Sequence, residues 1–382
     1  MSKEIIRFGL IGGGLMGKEF SGAAGRWMHL KDVNFQPVVV AACARHQSTT
    51  NWFQKNVPTI EFTSTDYQDL LTSSAIDVIY CAVPHNLHAQ FYADIVQAGK
   101  HLLGEKPFGM DKSANERINK AITAHPDVFV RVSSQFSYYP GAYRIFEWLT
   151  EGRFGKIIEV EVGFLHCSDL NPQKPINWKR MIEINGEYGC MGDLGPHVLH
   201  IPLRMGWKPH LVSAQLSQII TERPDKNGNM IPCDTWDNAV LSTRVETEDQ
   251  SFPMTIAAKR IAPGEVNTWY IRVYGSALSA EYGTKNPKEL RYLPYTAGDE
   301  QAWRTIDVPY RSAYPANVGS IFEFNMSDAF IQMLAAYCDE LVNGDHMSQP
   351  FRCVTPEEAA HIHNIFTAAL QSQSSREIVF LD

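Results

Sequence analysis

The sequence contains no Cys-x-x-Cys pair, and its seven cysteines are scattered along the chain. That argues against a zinc knuckle and supplies no disulfide frame; the pattern is that of reduced intracellular thiols, many of them buried. No run approaches the ~18 apolar residues of a membrane span. The opening stretch MSKEIIRFGLIGGG places Glu4 and Arg7 ahead of any useful apolar segment, which argues against a secretory leader. Dense basic runs are absent and the formal charge is −8, so neither a nucleic acid nor an anionic membrane is an expected partner. Internal repeats and low-complexity segments are absent too. Together these absences make the cytoplasm the expected compartment.

What remains is a chain of 382 residues, 44% hydrophobic and 20% charged. Those are the proportions of a globular protein too long for one ordinary core, so two domains are expected. In the first third, short apolar runs alternate with amphipathic stretches. IIRFGLIG (5–12), PVVVAACA (37–44), IDVIYCAVP (76–84), HLLGEKP (101–107) and VFVRVSS (128–134) read as buried strands, with helical patterns near 15–29, 48–56, 86–99 and 111–124. Repetition of strand, helix, strand implies a parallel sheet covered by helices on both faces. Right-handed crossovers then align the strand C-termini along one ligand-binding edge.

After about residue 135 the pattern changes. A helix stops at Gly152, KIIEVEVGFLHCS reads as a strand, and a Pro-rich loop occupies 169–178. Beyond a helix ending near 206, LVSAQLSQII, DNAVLSTRVE, FPMTIAAKRI and TWYIRVYGS follow one another without long helices between them, which indicates an antiparallel sheet. Two helices close the chain. The expected organisation is a Rossmann domain over 1–134 and an α+β domain over 135–382, the latter built on a large open, mainly antiparallel sheet.

Gly12-x-Gly14-x-x-Gly17 lies directly after the first predicted strand and before a predicted helix. Gly12 permits the tight turn, Gly14 lets backbone approach a pyrophosphate, and Gly17 lets helix pack on strand. Free N–H groups at the helix start then meet the phosphates, with Leu15 and Met16 completing the turn. The second strand should end in an acid that binds the ribose hydroxyls. Ala44 stands in that place and Arg45 follows it, a pairing that suits a 2′-phosphate and favours NADP over NAD. Glu105-Lys106-Pro107 ends the next-to-last strand of this region, where Pro107 stiffens the turn and Glu105 adds a neighbouring charge. Pro84, Asn86 and His88 lie at and after the end of the strand-like run 76–84, on the same edge.

Asp193, His197 and His200 are spaced i, i+4, i+7 in GCMGDLGPHVLH, so on a helix they fall within about 60° of one another. Three readings are open. Asp193 caps a helix whose first turn holds Pro196; the three side chains ligate a metal; or a histidine moves a proton beside a carboxylate. Upstream, Trp178 offers a face for a sugar ring and Lys179 a contact to a hydroxyl or an acidic group. Downstream, Trp236 with Asp234, Asp237 and Asn238 offers further hydroxyl contacts, the alternative being a loop anchored by a buried Trp.

The N-terminal GxGxxG, the strand ending EKP and the later DxxxH together resemble the glucose–fructose oxidoreductase / inositol dehydrogenase (Gfo/Idh/MocA) family, in order and spacing along essentially the whole chain. The resemblance implies a Rossmann domain followed by a domain with a large open sheet, and hydride transfer between a nicotinamide cofactor and a sugar or polyol carbon. It implies a catalytic lysine, here Lys106, an Asp/His pair, here Asp193 and His197, and a homodimer or homotetramer. Under it the metal reading recedes, because hydride transfer to nicotinamide needs no metal. This chain departs from the family where the glycine run before the Asp is diluted to GEYGCMGD, and where His200 replaces a common acid. Two other functions fit the same motifs: glycoside cleavage through transient oxidation with the cofactor retained, and a non-catalytic dinucleotide sensor.

Overall fold

A computed structural model describes residues 3–308, 311–317 and 322–381. The chain divides into two compact units: Met1–Gly109, Ser113–Tyr138 and Tyr310–Pro356 form the first, and Met110–Lys112, Tyr139–Pro309 and Glu357–Asp382 the second.

The first unit is built on six parallel strands: β1 (Glu4–Ile11), β2 (Phe35–Cys43), β3 (Phe62–Ser64), β4 (Val78–Cys81), β5 (His101–Gly104) and β6 (Val130–Val132). Their order is β3-β2-β1-β4-β5-β6. The order reverses between β1 and β4, and that switch point is where open parallel sheets bind ligands. The helices between the strands are α1 (Leu15–Gly25), α2 (Gln47–Asn56), α3 (Gln68–Thr72), α4 (His88–Gln97) and α5 (Lys112–Ala124). Val78, Ile79, Tyr80 and Cys81 of β4 are fully buried, as a strand covered on both faces requires.

A division at residue 134 misses one part of this unit. The late helix Met326–Asn343 packs on α1 through Phe330, whose ring lies 6.4 Å from that of Phe20, itself stacked on Tyr80 at 4.1 Å. Asp328 pairs with Arg26 at 2.7 Å, and the Arg131 Nε donates to Glu340 at 2.9 Å. An apolar helix face with its partner some three hundred residues upstream leaves no local trace of that partner in the sequence.

The second unit opens with α6 (Pro140–Thr150), followed by β7 (Ile157–Leu165), α7 (Ile182–Asn185), α8 (Cys190–Arg204) and β8 (Pro209–Ser217). A short hairpin, β9 (Glu222–Pro224) and β10 (Met230–Pro232), precedes β11 (Asn238–Glu246), β12 (Ser251–Lys259), β13 (Thr268–Gly275), β14 (Leu278–Gly283), β15 (Glu289–Pro294) and β16 (Arg304–Asp307). After α9, the late helix named above, α10 (Pro356–Ser375) and β17 (Val379–Phe380) complete the described chain. Nine strands form one sheet in the order β16-β15-β14-β13-β7-β12-β11-β8-β17. All its neighbours are antiparallel except β7 and β12. Every residue of α8 from Cys190 to Leu203 is buried, against the sheet on one side and α10 on the other. A Cβ on Gly195 would lie 2.4 Å from the Phe366 ring of α10, so only glycine admits that approach.

Candidate functional site

The first unit assembles its candidate residues at the C-terminal ends of its strands. Gly12 donates its N–H to Cys43 O at 2.9 Å, and Ala82 donates to Ile11 O at 2.8 Å, so the ends of β1, β2 and β4 are laced side by side. Gly12 has φ +108, and a Cβ there would sit 2.2 Å from Ala82 O. Both facts demand glycine. Gly14 is the N-cap of α1, with no side-chain cap and open space where a Cβ would lie. No acidic residue occupies the first turn of α1. An uncapped helix N-terminus with clear space before it fits a dinucleotide pyrophosphate. Leu15 projects from that turn, 72% exposed.

Ala44 directly follows β2 and touches the same turn, since a Cβ on Gly13 would meet the Ala44 Cβ at 3.2 Å. Arg45 is exposed and donates from Nε to His46 Nε2 at 3.2 Å. Pro84 and Asn86 are exposed just beyond β4.

His88 takes a different role from the ligand contact expected of it. Its ring is fully buried, with Nδ1 2.7 Å from Pro107 O and Nε2 2.8 Å from Val83 O. Burial pushes its pKa down to about 4 against the pull of those two carbonyls. The ring sits between the loop after β4 and the loop after β5; when neutral it donates to one of the two carbonyls, and it is wholly internal. Glu105 is likewise internal. Tyr80 donates to its carboxylate at 2.6 Å, and burial raises its pKa against the charge of Lys106. Its own carbonyl accepts from Tyr92 at 2.6 Å. Lys106, half-buried, leads into a cis peptide to Pro107 and then a turn held by Asn115 Nδ2 donating to Phe108 O at 2.7 Å. These clamps hold the backbone that carries Lys106.

The second unit carries Asp193 and His197 one turn apart on α8, both buried. The helix starts earlier than a capping Asp193 requires. Gly189 is the N-cap, with φ +55 and no room for a Cβ, which would lie 2.6 Å from Trp236 N. Cys190 N donates to Trp236 O at 3.1 Å. Asp193 therefore lies inside the first turns, and Pro196 is an interior proline that removes one helical hydrogen bond. The His197 ring stands edge-on to Phe164 at 5.5 Å, and its carbonyl accepts from Trp269 Nε1 at 2.9 Å. His200, also buried, lies a further turn along. Among the described residues no group of three or more His, Cys, Asp or Glu side chains is arranged to hold a metal ion.

Asp193 Oδ2 accepts from Lys179 Nζ at 3.0 Å and also takes the guanidinium of Arg260. Lys179 and Asp193 were singled out in the sequence; Arg260 was not, because a cation at the end of a strand such as β12 reads as an ordinary solvated terminus. Arg180 is fully buried and pairs with Asp237, which also accepts the Ile220 N–H at 2.9 Å. Asp237 is thus an internal anchor and not a hydroxyl contact. The same holds for Asn238, which exchanges hydrogen bonds with the Ile261 backbone at 2.8 and 3.1 Å. Asp234, exposed, accepts the Ile182 N–H at 2.7 Å. Trp178 and Trp236 are half-buried, with the Lys179 ammonium 5.7 Å from the Trp178 ring centroid.

Residues 6–133 match the family described as "Oxidoreductase family, NAD-binding Rossmann fold" (GFO_IDH_MocA). Levoglucosan dehydrogenase of Pseudarthrobacter phenanthrenivorans is 24% identical over 79% of this chain and 80% of its own. An NADP(+) scyllo-inositol 2-dehydrogenase of Bacillus subtilis is 22% identical over 99% of this chain and 97% of its own. A solved structure of levoglucosan dehydrogenase with NADH and levoglucosan superposes with TM-score 0.88 at 22% identity, covering 99% of both chains. No described helix is long and apolar enough to cross a membrane. The glycine turn and the six-strand parallel sheet thus lie in the segment, residues 6–133, that matches the Gfo/Idh/MocA family of NAD-binding Rossmann-fold oxidoreductases.

Proposed function

We propose that this protein moves a hydride between a nicotinamide dinucleotide and a hydroxyl- or keto-bearing carbon of a sugar or polyol. The observation that carries the reading is the buried Asp193 and His197 pair, one turn apart on α8, in a chain whose other unit offers an uncapped glycine helix start. The named relatives that act on levoglucosan and scyllo-inositol support it.

Gly12, Gly14 and Gly17 hold the dinucleotide phosphates through backbone N–H groups of the first turn of α1. The nicotinamide, when bound, supplies the hydride acceptor or donor. His197 takes the hydroxyl proton when the substrate is oxidised and returns it when the substrate is reduced, a task suited to imidazole near neutral pH. Lys106, the lysine that the family resemblance implies, supplies a charge that stabilises the developing alkoxide. Asp193 keeps Lys179 in place through Oδ2, and Trp178 and Trp236 supply apolar faces for the sugar. The missing acid at Ala44 and the exposed Arg45 beside it favour NADP, because a guanidinium suits the 2′-phosphate that a carboxylate would repel.

The test is reduced-cofactor formation from NAD+ and NADP+ with a panel of sugars and polyols. His197→Ala should lower kcat by ~10²–10⁴-fold. Lys106→Met should lower it heavily too, and the double variant should cost little more than the worse single, since the two act as a unit. Arg45→Ala should weaken NADP binding and spare NAD. Full kcat in His197→Ala on an authentic substrate, or dinucleotide binding without turnover of any sugar, overturns the reading.

A further inference from the structure

Trp178 and Lys179 stand at the exit of residues 166–177, a segment of the second unit that forms no strand or helix. Its outer side is exposed at Leu170, Asn171, Pro172, Gln173 and Pro175. Pro172 and Pro175 offer no N–H, and a loop without a ladder keeps one shape only where its other backbone groups find fixed partners. Here three carbonyls turn inward on one guanidinium. Arg223 donates from Nη1 to Asn171 O at 2.6 Å and to Lys174 O at 3.4 Å, and from Nη2 to Asp169 O. The Arg223 side chain is wholly buried, and its planar fork serves several acceptors in a fixed geometry that an ammonium does not reproduce.

Strand alternation on the short hairpin aims Arg223 inward: Glu222 before it is exposed, and Arg223 lies opposite Ile231 of β10. Pro224 O then accepts the Ile176 N–H at 2.8 Å. Asp225 closes the hairpin turn by accepting from Asn227 N at 2.7 Å and Asn229 N at 2.9 Å. Further hydrogen bonds lead from the loop to the candidate site. Asn177 Oδ1 accepts the Lys179 N–H at 3.0 Å, Thr235 Oγ1 donates to Lys179 O at 3.1 Å, and Lys179 Nζ donates to Asp193 Oδ2 at 3.0 Å. A shift of the loop therefore reaches Trp178 and Lys179 through Ile176 and Asn177. His197 rides instead on α8, where its carbonyl accepts from Trp269 of β13 at 2.9 Å.

Resting on the function proposed above, we infer that Arg223 is a positioning residue for substrate binding: by gathering the carbonyls of Asp169, Asn171 and Lys174 it shapes the loop and sets where Trp178 and Lys179 meet the sugar. Being wholly buried, Arg223 touches neither substrate nor cofactor itself. Its effect falls on substrate affinity and not on the chemical step, because the proton and the developing alkoxide are assigned to His197 and Lys106, and neither lies on the loop. An interaction that holds ground state and transition state alike appears in KM with kcat unchanged.

The experiment is steady-state kinetics of the full chain at saturating dinucleotide, on the sugar or polyol that the unaltered protein turns over best. Arg223→Met removes the donors and keeps the aliphatic stem. It should raise KM for that substrate about tenfold, the scale of one hydrogen bond to a charged group, while kcat changes far less and dinucleotide affinity holds. Arg223→Lys keeps the charge without the fork, so its KM should lie between the two. That variant also carries the test if Arg223→Met does not fold. In a Lys179→Gln background Arg223→Met should add less than its full factor, because both changes act on one contact. Amide hydrogen exchange should rise over residues 169–180 in Arg223→Met and stay as it was in α8. KM at the unaltered value in both Arg223 variants overturns the inference and leaves the oxidoreductase reading standing, even if the melting temperature falls. A loss confined to kcat overturns it too, as do factors for Arg223→Met and Lys179→Gln that multiply in full. If the unaltered protein turns over no sugar or polyol, the function on which the inference rests is removed, and the inference with it.

Discussion

At the ligand edge of the first unit, the internal groups are backbone amides, glycines and side chains that burial drives toward neutrality: His88 with its pKa down to about 4, and Glu105 with its carboxyl raised. In the second unit, buried acidic and basic side chains pair with one another: Arg180 with Asp237, and Arg260 with Asp193. Asp169 shows the difference in one residue. Burial alone would raise its pKa, but the hydrogen bond from Lys174 and the charges of Arg260, Lys174 and Arg180 bring it below the usual value. Under the function proposed above, the contrast matches two recognition problems. A dinucleotide phosphate is met by fixed N–H dipoles, which need no counter-charge. A hydroxylated substrate is met by side chains, which in a dry interior must come in compensated groups.

The sharpest way to break this contrast is Arg180→Leu. It strands Asp237 in the core and should cost ~3–5 kcal/mol in urea unfolding. A loss below ~1 kcal/mol would mean that the pair is solvated in practice, like a surface bridge.

Acid separates the two units by pH window. His88 is neutral when folded and has an ordinary value of 6.5, so between 6.5 and about 4 the unfolded chain binds the extra proton. Stability should fall as pH drops through that window, by about 3 kcal/mol in all, and His88→Gln should flatten the fall. Asp169, whose pKa is lowered, contributes stability that is lost only at more acid pH, below its ordinary 3.8. Urea midpoints measured from pH 7 to 4 in both proteins test this. Equal slopes would show that His88 is not the group responsible.

Glycine substitutions sharpen the backbone side of the comparison. Gly12→Ala forces a Cβ against Ala82 O at φ +108 and should cost at least ~1 kcal/mol. Gly14→Ala meets no protein atom, so the melting temperature should hold while dinucleotide affinity falls several-fold. If Gly14→Ala binds cofactor normally, the phosphates do not lie on this turn. The smallest effect belongs to the exposed ion pairs of the nine-strand sheet, where Arg272 bridges Glu161 at 3.0 Å and Glu281 at 3.3 Å with its side chain 44% exposed. Arg272→Leu should change stability by less than ~1 kcal/mol. A larger loss would erase the distinction between exposed and buried charge.

Periodicity and punctuation were enough to read the parallel sheet, the glycine turn, the turn at Lys106 and the shift to a mostly antiparallel second sheet. Each is a local property: buried strands read as short apolar runs, tight turns as glycine, and a helix start as the residues after it. Folding in three dimensions settled the rest. The start of α8 moved to Gly189 because its neighbour is the Trp236 backbone, some fifty residues on. The aromatic face of α9 found its partner in α1 and β4 of the first unit. His88 became an internal residue between two loops, and Arg260 became the partner of Asp193, because a charged or polar side chain carries no mark of whether water or an opposite charge will surround it. That depends on which distant strand or helix covers it, and only the assembled core decides.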